Sequence, residues 1–154
     1  MKRTALFLAL AAVLIPTCGP NDNPPTSASV IAIPDDNAGA IGVYLVLSDV
    51  AGTMTTADGA ATVRITESRS DPYAESGTAE TELFRGQFPV LKSRFRKMKS
   101  GKEGAQSWIA FPVGRIAYSE FYEKPTRASG TVTIKFRPRY CEKDLVGETA
   151  VRFK

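Results

Sequence analysis

Histidine is absent from the 154-residue chain. Its absence removes the commonest general base and the commonest metal ligand of neutral-pH chemistry. Ser-His-Asp and Cys-His nucleophilic sites and the paired-histidine zinc proteases are thereby excluded. Cysteine is scarce: Cys18 and Cys141 stand alone, and two cysteines permit a single intramolecular bridge. The stretch SGKEG lacks the glycine and hydroxyl spacing of a phosphate-binding loop. No motif asks for a cofactor or a metal. Carboxylates remain as candidate material for catalysis, with Asp49, Asp58 and Glu120 as candidates that nothing in their surroundings singles out. Asp35-Asp36-Asn37 has the oxygens to touch calcium, but the same residues commonly build a polar turn. The expectation is a protein that is not an enzyme.

Long apolar runs are missing too, with one short exception. Residues 5–15, ALFLALAAVLI, are uninterruptedly apolar and follow Lys2 and Arg3. Eleven residues of helix span about 16 Å, roughly half of a bilayer's hydrocarbon core. A positive start followed by a short greasy run is the build of an export signal, not of a membrane span.

The run ends in Ile15-Pro16-Thr17-Cys18, followed by Gly19 and a stretch rich in proline and polar residues. This junction resembles the lipobox of bacterial lipoproteins, in which an apolar residue and two small ones precede a cysteine. The resemblance implies that Cys18 is lipidated, becomes the new N-terminus and anchors an exported protein to a bacterial envelope membrane. Pro16 and Thr17 depart from the commonest residues at their positions. Two other fates of this segment stay open. One is an ordinary cleavable signal releasing a soluble secreted protein, and the other is a Cys18–Cys141 disulfide, which an exported compartment would allow. Domain boundaries follow: 1–17 as signal peptide, 18–37 as lipidated cysteine and flexible tether, mostly disordered through residue 34, and 38–154 as the folded domain.

Within that domain the apolar period is two, not 3.6. AIGVYLVLSD places Ile41, Val43, Leu45 and Leu47 on one face against Tyr44 and Val46. GTVTIKFRP alternates Val132, Ile134 and Phe136 inward with Thr133, Lys135 and Arg137 outward, and ETAVRFK repeats the pattern around Val151 and Phe153. The predicted core comprises Ile41, Val43, Leu45, Val63, Ile65, Val132, Ile134, Phe136, Val151 and Phe153. Asp58-Gly59 between two short threonine- and valine-bearing runs predicts a hairpin. Short strands broken by Gly, Pro, Asp and Ser predict an all-β antiparallel sandwich, with a small β-barrel as the alternative. The stretch 43–66 is similar to immunoglobulin-like and fibronectin-III-like domains of bacterial surface proteins. That resemblance implies a core role for Trp108, although the Cys-Trp-Cys spacing of antibody domains is absent.

Charge is nearly balanced overall, at +4, but unevenly placed. Residues 18–84 hold two basic and ten acidic side chains, net −8; residues 85–154 hold sixteen basic and six acidic, net +10. The densest cluster, LKSRFRKMKSGK, contains Lys92, Arg94, Arg96, Lys97, Lys99 and Lys102 with no acid among them. Read as a strand, it places Lys92, Arg94 and Arg96 on one face about 7 Å apart, within a Debye length of one another. Such a row serves either to bind anionic envelope ligands or to guard an exposed strand edge with lysines. Nucleic acid is a poor partner, because only Phe95 interleaves the basic residues where single-strand binders use several aromatics. The functional expectation is a membrane-anchored, non-enzymatic envelope lipoprotein whose sandwich serves protein contact or structural support. The second expectation is a binding module for an anionic polymer or lipid through residues 92–102, and a carboxylate enzyme is the weakest of the three.

Overall fold

Alternation of apolar and polar residues produces strands that can bury one face, and two such sheets bury their faces against each other. The computed structural model, which describes residues 23–99 and 107–153, is built in this way. Strands β1 (Ser27–Asp35), β2 (Ala40–Ser48), β3 (Met54–Thr55), β6 (Arg96–Lys99) and β7 (Ser107–Ala117) form one sheet in the order β1-β2-β7-β6, with β3 paired to the end of β2. Strands β4 (Gly59–Ser70), β5 (Thr78–Val90), β8 (Ser129–Pro138) and β9 (Leu145–Arg152) form the other in the order β5-β4-β8-β9. All pairings are antiparallel. Two open sheets packed together replace the closed barrel that was the alternative.

Every predicted core residue is buried: Ile41, Val43, Leu45, Val63, Ile65, Val132, Ile134, Phe136, Val151 and Phe153 all lie in one apolar cluster. The cluster also takes Leu83, Phe84, Phe111, Val113 and Ile116 from β5 and β7. Both of those strands carry an irregularity. Opposite Ile65 and Thr66, β5 fits an extra residue, so Leu83 and Phe84 are both buried although they are neighbours. Opposite Val43 and Tyr44, β7 does the same at Val113. A bulge puts two residues against one and breaks the period of two.

Four expectations are corrected. Residues 27–35, read as tether, form the edge strand β1, with Val30 and Ala28 in the core and Pro25 already buried before it. The apolar contacts of Ala28 and Val30 outweigh the disorder that Pro34 and the polar flanks suggested. No hairpin forms at Asp58-Gly59; the chain crosses there from β3 in one sheet to β4 in the other, because β4 must lie between β5 and β8 to bury Ala61, Val63 and Ile65. Trp108 sits half-buried at the start of β7, opposite Met98, and not in the core. Residues 92–96 are not one strand: Lys92–Arg94 make a 3₁₀ turn and Arg96 opens β6, since the chain must change sheets between Val90 and Arg96.

Candidate functional site

One end of the sandwich gathers most of the residues that the sequence singled out. The chain reaches it at Asn23, whose carbonyl accepts a hydrogen bond from Thr55 Oγ1 (2.9 Å), and Thr26 N donates to Ser48 O (2.8 Å) where β1 begins. Three residues beyond Thr55, Asp58 ties two further loops to the same place. Its Oδ1 accepts Lys92 N (2.7 Å), and its carbonyl accepts Arg139 N (2.9 Å). The segments following Asn23, Ser48, Val90 and Pro138 therefore meet at a single end, here termed the tether end.

Lys92, Arg94, Arg96, Lys97 and Lys99 are all exposed at or beside this end. Their anchoring is apolar. Phe95, between them, packs its ring 5.5 Å from that of Phe111, and the Arg94 guanidinium lies 5.9 Å above the Phe111 ring. Among the described residues, Arg94, Arg96, Lys97 and Lys99 have no ion-pair partner, whereas Arg64, Arg69, Arg85, Arg115 and Arg137 each hold a carboxylate. Among the described residues, five arginines thus pair with carboxylates, while Arg94, Arg96, Lys97 and Lys99 around β6 do not. Lys102 and Cys18 lie outside the described residues.

An open cavity of about 420 Å³ lies behind Leu91, floored by Gly59, Ala60, Val90 and Pro138 and rimmed by Asp58, Arg137, Arg139 and Cys141. Gly59 makes this close packing possible: a Cβ there would fall 2.7 Å from the Phe136 ring and nearer still to the Arg137 carbonyl oxygen. At the rim, Arg137 is engaged by Asp144 (2.7 Å), and the Arg139 guanidinium covers the Tyr140 ring at 5.5 Å. Cys141 is disulfide-bonded, with its partner outside the described residues.

The candidate carboxylates are occupied structurally. Asp49 Oδ1 accepts Ala51 N and Thr53 N, both at 2.9 Å, and so closes the turn after β2. Asp58 is the loop tie just described, and Glu120 is exposed in a 3₁₀ turn, Tyr118–Glu120. Asp35 begins the β1–β2 turn, accepting Ala38 N (3.1 Å) and pairing with Arg115. No group of three or more potential metal ligands occurs among the described residues.

Among the described residues, the most buried ionisable side chain is one that the sequence did not mark. Glu67, on β4 at the opposite end, is 1% exposed. It accepts bonds from Arg69 Nε (2.5 Å), Thr126 N (3.0 Å), Thr126 Oγ1 (3.0 Å) and Arg127 N (3.1 Å). Burial by itself would raise its carboxyl pKa and is the largest single influence. The bonds from Arg69, Arg127 and Thr126 together outweigh it, so the pKa is lowered. This carboxylate clamps the 121–128 loop onto the sheet. Its partners are all donors that fix the loop, so the contacts it makes are structural. Nothing in ESR at residues 67–69 distinguishes it from a surface glutamate; only its partner loop, some sixty residues away, makes it buried.

No protein-family model matches the chain, and no curated protein or solved structure matches it either.

Proposed function

We propose that the protein is a membrane-anchored, non-enzymatic lipoprotein of a bacterial cell envelope, with lipid on Cys18 and an immunoglobulin-like sandwich for protein contact or structural support. One observation carries the reading. The apolar run and cysteine junction at residues 5–18 stand only five residues ahead of Asn23, where the chain is already hydrogen-bonded to the sandwich. An anchor at Cys18 would therefore hold the domain within about 18 Å of the attachment point. The strand order supports the immunoglobulin-like assignment. Labelled in chain order with β3 left out, β1-β2-β7-β6 and β5-β4-β8-β9 are the A-B-E-D and C′-C-F-G arrangements of such sandwiches. The structural engagement of Asp49, Asp58 and Glu67 supports a role other than catalysis.

A second reading, a secreted soluble domain, is favoured by the disulfide on Cys141. A bridge between the chain's two cysteines and a thioether-linked lipid would compete for the same Cys18 sulfur. Intact mass spectrometry of the exported protein, run without reductant, separates the two. A mass beginning at Cys18 with added diacylglycerol and acyl groups, lost in Cys18→Ser, supports the anchored form. An unlipidated chain lighter by two hydrogens than the reduced one refutes it in favour of the secreted form.

A further inference from the structure

The tether end is more than the place where the chain enters. Four of the eight large apolar side chains exposed among the described residues are there: Val50, Leu91, Ile109 and Tyr140. Val50 is 90% exposed at the tip of the Asp49–Thr53 turn, and Tyr140 is 65% exposed at the tip of the β8–β9 turn. Exposed apolar residues by themselves need no explanation, and Tyr73 and Tyr122 stand exposed at the opposite end. What sets the tether end apart is that its apolar tips stand beside a cluster of cations with no ion-pair partner among the described residues. Among the described residues, the cations are Arg94, Arg96, Lys97 and Lys99, with Arg139 and Lys143 from the β8–β9 turn, and the carboxylates at this end that lack an arginine partner are Asp49, Asp58 and Glu142. The opposite end is mixed, with Asp36, Asp71, Glu75 and Glu120 alongside Lys124 and Arg127.

Apolar tips set among arginines and lysines suit an interface that is anionic at its surface and apolar just beneath. Tyrosine and leucine enter the headgroup region while guanidinium and ammonium groups meet phosphates. A soluble polyanion offers the second kind of contact without the first. If Cys18 is anchored, the bilayer is also the anionic surface always within reach, and a tethered partner is met at high effective concentration.

We propose that the tether end is a bilayer-docking face, in which Arg94, Arg96 and Lys97 take the phosphates of anionic phospholipid headgroups and Leu91 and Tyr140 insert between them. The proposal rests on the anchored reading for its biological setting, but its chemistry does not require the lipid on Cys18. Docking lays the sandwich end-on against the membrane and directs the opposite end, with the Glu67 clamp and the β4–β5 turn, outward to partners.

The test uses residues 18–154 with Cys18→Ser/Cys141→Ser, so that the apolar run at 5–15, a lipid and a disulfide are all kept from contributing. It is sedimented with vesicles of phosphatidylcholine alone and of phosphatidylcholine mixed with phosphatidylglycerol. Binding to the mixed vesicles only, weakening as salt shortens the Debye length, is expected. In the same background, R94S/R96S/K97S should weaken that binding about a hundredfold, at about fivefold for each cation near the surface. L91S/Y140S should weaken vesicle binding while leaving retention on an immobilised sulfated polysaccharide unchanged. K124S/R127S, at the opposite end, should alter neither. Thermal unfolding of each variant checks the fold, and Arg→Gln versions replace any that fail. The proposal is overturned if the parent ignores phosphatidylglycerol vesicles at low salt, or if the basic variant binds them as the parent does. It is equally overturned if K124S/R127S loses as much as R94S/R96S/K97S, or if the apolar variant binds vesicles unchanged, which would make the ligand a soluble polyanion. Failure here leaves the lipid on Cys18 to its own mass measurement. An unlipidated chain that still binds the mixed vesicles loses the anchor and keeps the docking face.

Discussion

Glu67→Gln is the sharpest test of how the end opposite the tether is held. The carboxylate offers two oxygens to four donors; Oε2 accepts the amides of Thr126 and Arg127, at 3.0 and 3.1 Å, and Oε1 shares the Thr126 amide at 3.2 Å. Glutamine keeps the shape but replaces one oxygen with an NH₂. With the amide oxygen at the Oε1 position, the Arg127 N–H loses its acceptor and faces an NH₂; with it at the Oε2 position, both backbone amides keep theirs and the Arg69 Nε–H faces the NH₂ instead. The Arg69 guanidinium, shared at 2.5 Å with Glu67 and 2.7 Å with Glu123, loses one of its two carboxylates. Hydrogen bonds involving a charged group contribute about 1.5–3 kcal/mol each, and a buried donor left unsatisfied costs about 1–3 kcal/mol. A loss of about 2–4 kcal/mol is therefore expected, a large part of the about 5–15 kcal/mol by which domains of this kind are stable. Urea titration followed by fluorescence should show a lower midpoint with an unchanged slope, since the area exposed on unfolding is the same. The pH dependence checks the cause. Because the folded pKa of Glu67 lies below its ordinary value of 4.5, its contribution is fully present above that pH. It is then lost as pH falls through the folded pKa. The gap between wild type and Glu67→Gln should therefore be constant at neutral pH and narrow below about pH 4.5. A substitution costing less than about 0.5 kcal/mol, or a gap independent of pH down to unfolding, would refute the clamp.

Two further outcomes test the packing and electrostatics elsewhere. Gly59→Ala should destabilise the domain by about 1–3 kcal/mol, the usual cost of overpacking, because its Cβ would meet the Arg137 carbonyl and the Phe136 ring; calorimetry showing an unchanged unfolding temperature would contradict the close approach. Glu82, bonded first to Arg85 and then to Arg64, is held at about 2. Its carboxyl carbon, followed by NMR, should therefore titrate well below the ordinary 4.5, and Arg85→Met should raise that midpoint. Stability from these pairs is present above the ordinary value and lost as pH falls toward 2.

The period of two in β2, β8 and β9 is enough to assign Ile41, Val43, Leu45, Val132, Ile134, Phe136 and Val151 to the core, because burial on one face of a regular strand follows from alternation alone. The same rule cannot find the buried neighbours Leu83 and Phe84, nor Val113, since each sits where an extra residue resets the alternation, and only the partner strand determines that position. Strand β1 is illegible for a related reason: its short apolar set, Ala28 and Val30, becomes worth ordering only when β2 pairs with it and β9 packs beside it. The cluster at residues 92–102 is visible as charge, but its shape is not. A change of sheet between Val90 and Arg96 turns an expected straight row into a turn followed by a strand. Which charges cancel is likewise a tertiary matter, because Arg64, Arg69 and Arg115, which hold carboxylates, and the cations of β6, which hold none among the described residues, look alike in sequence and differ in what folds against them. Composition and local pattern thus determined the exclusion of histidine chemistry, the all-β class and half of the core. Contacts between residues distant in the chain decided the tether end, the Glu67 clamp and the strand order, because those depend on which loops meet in space.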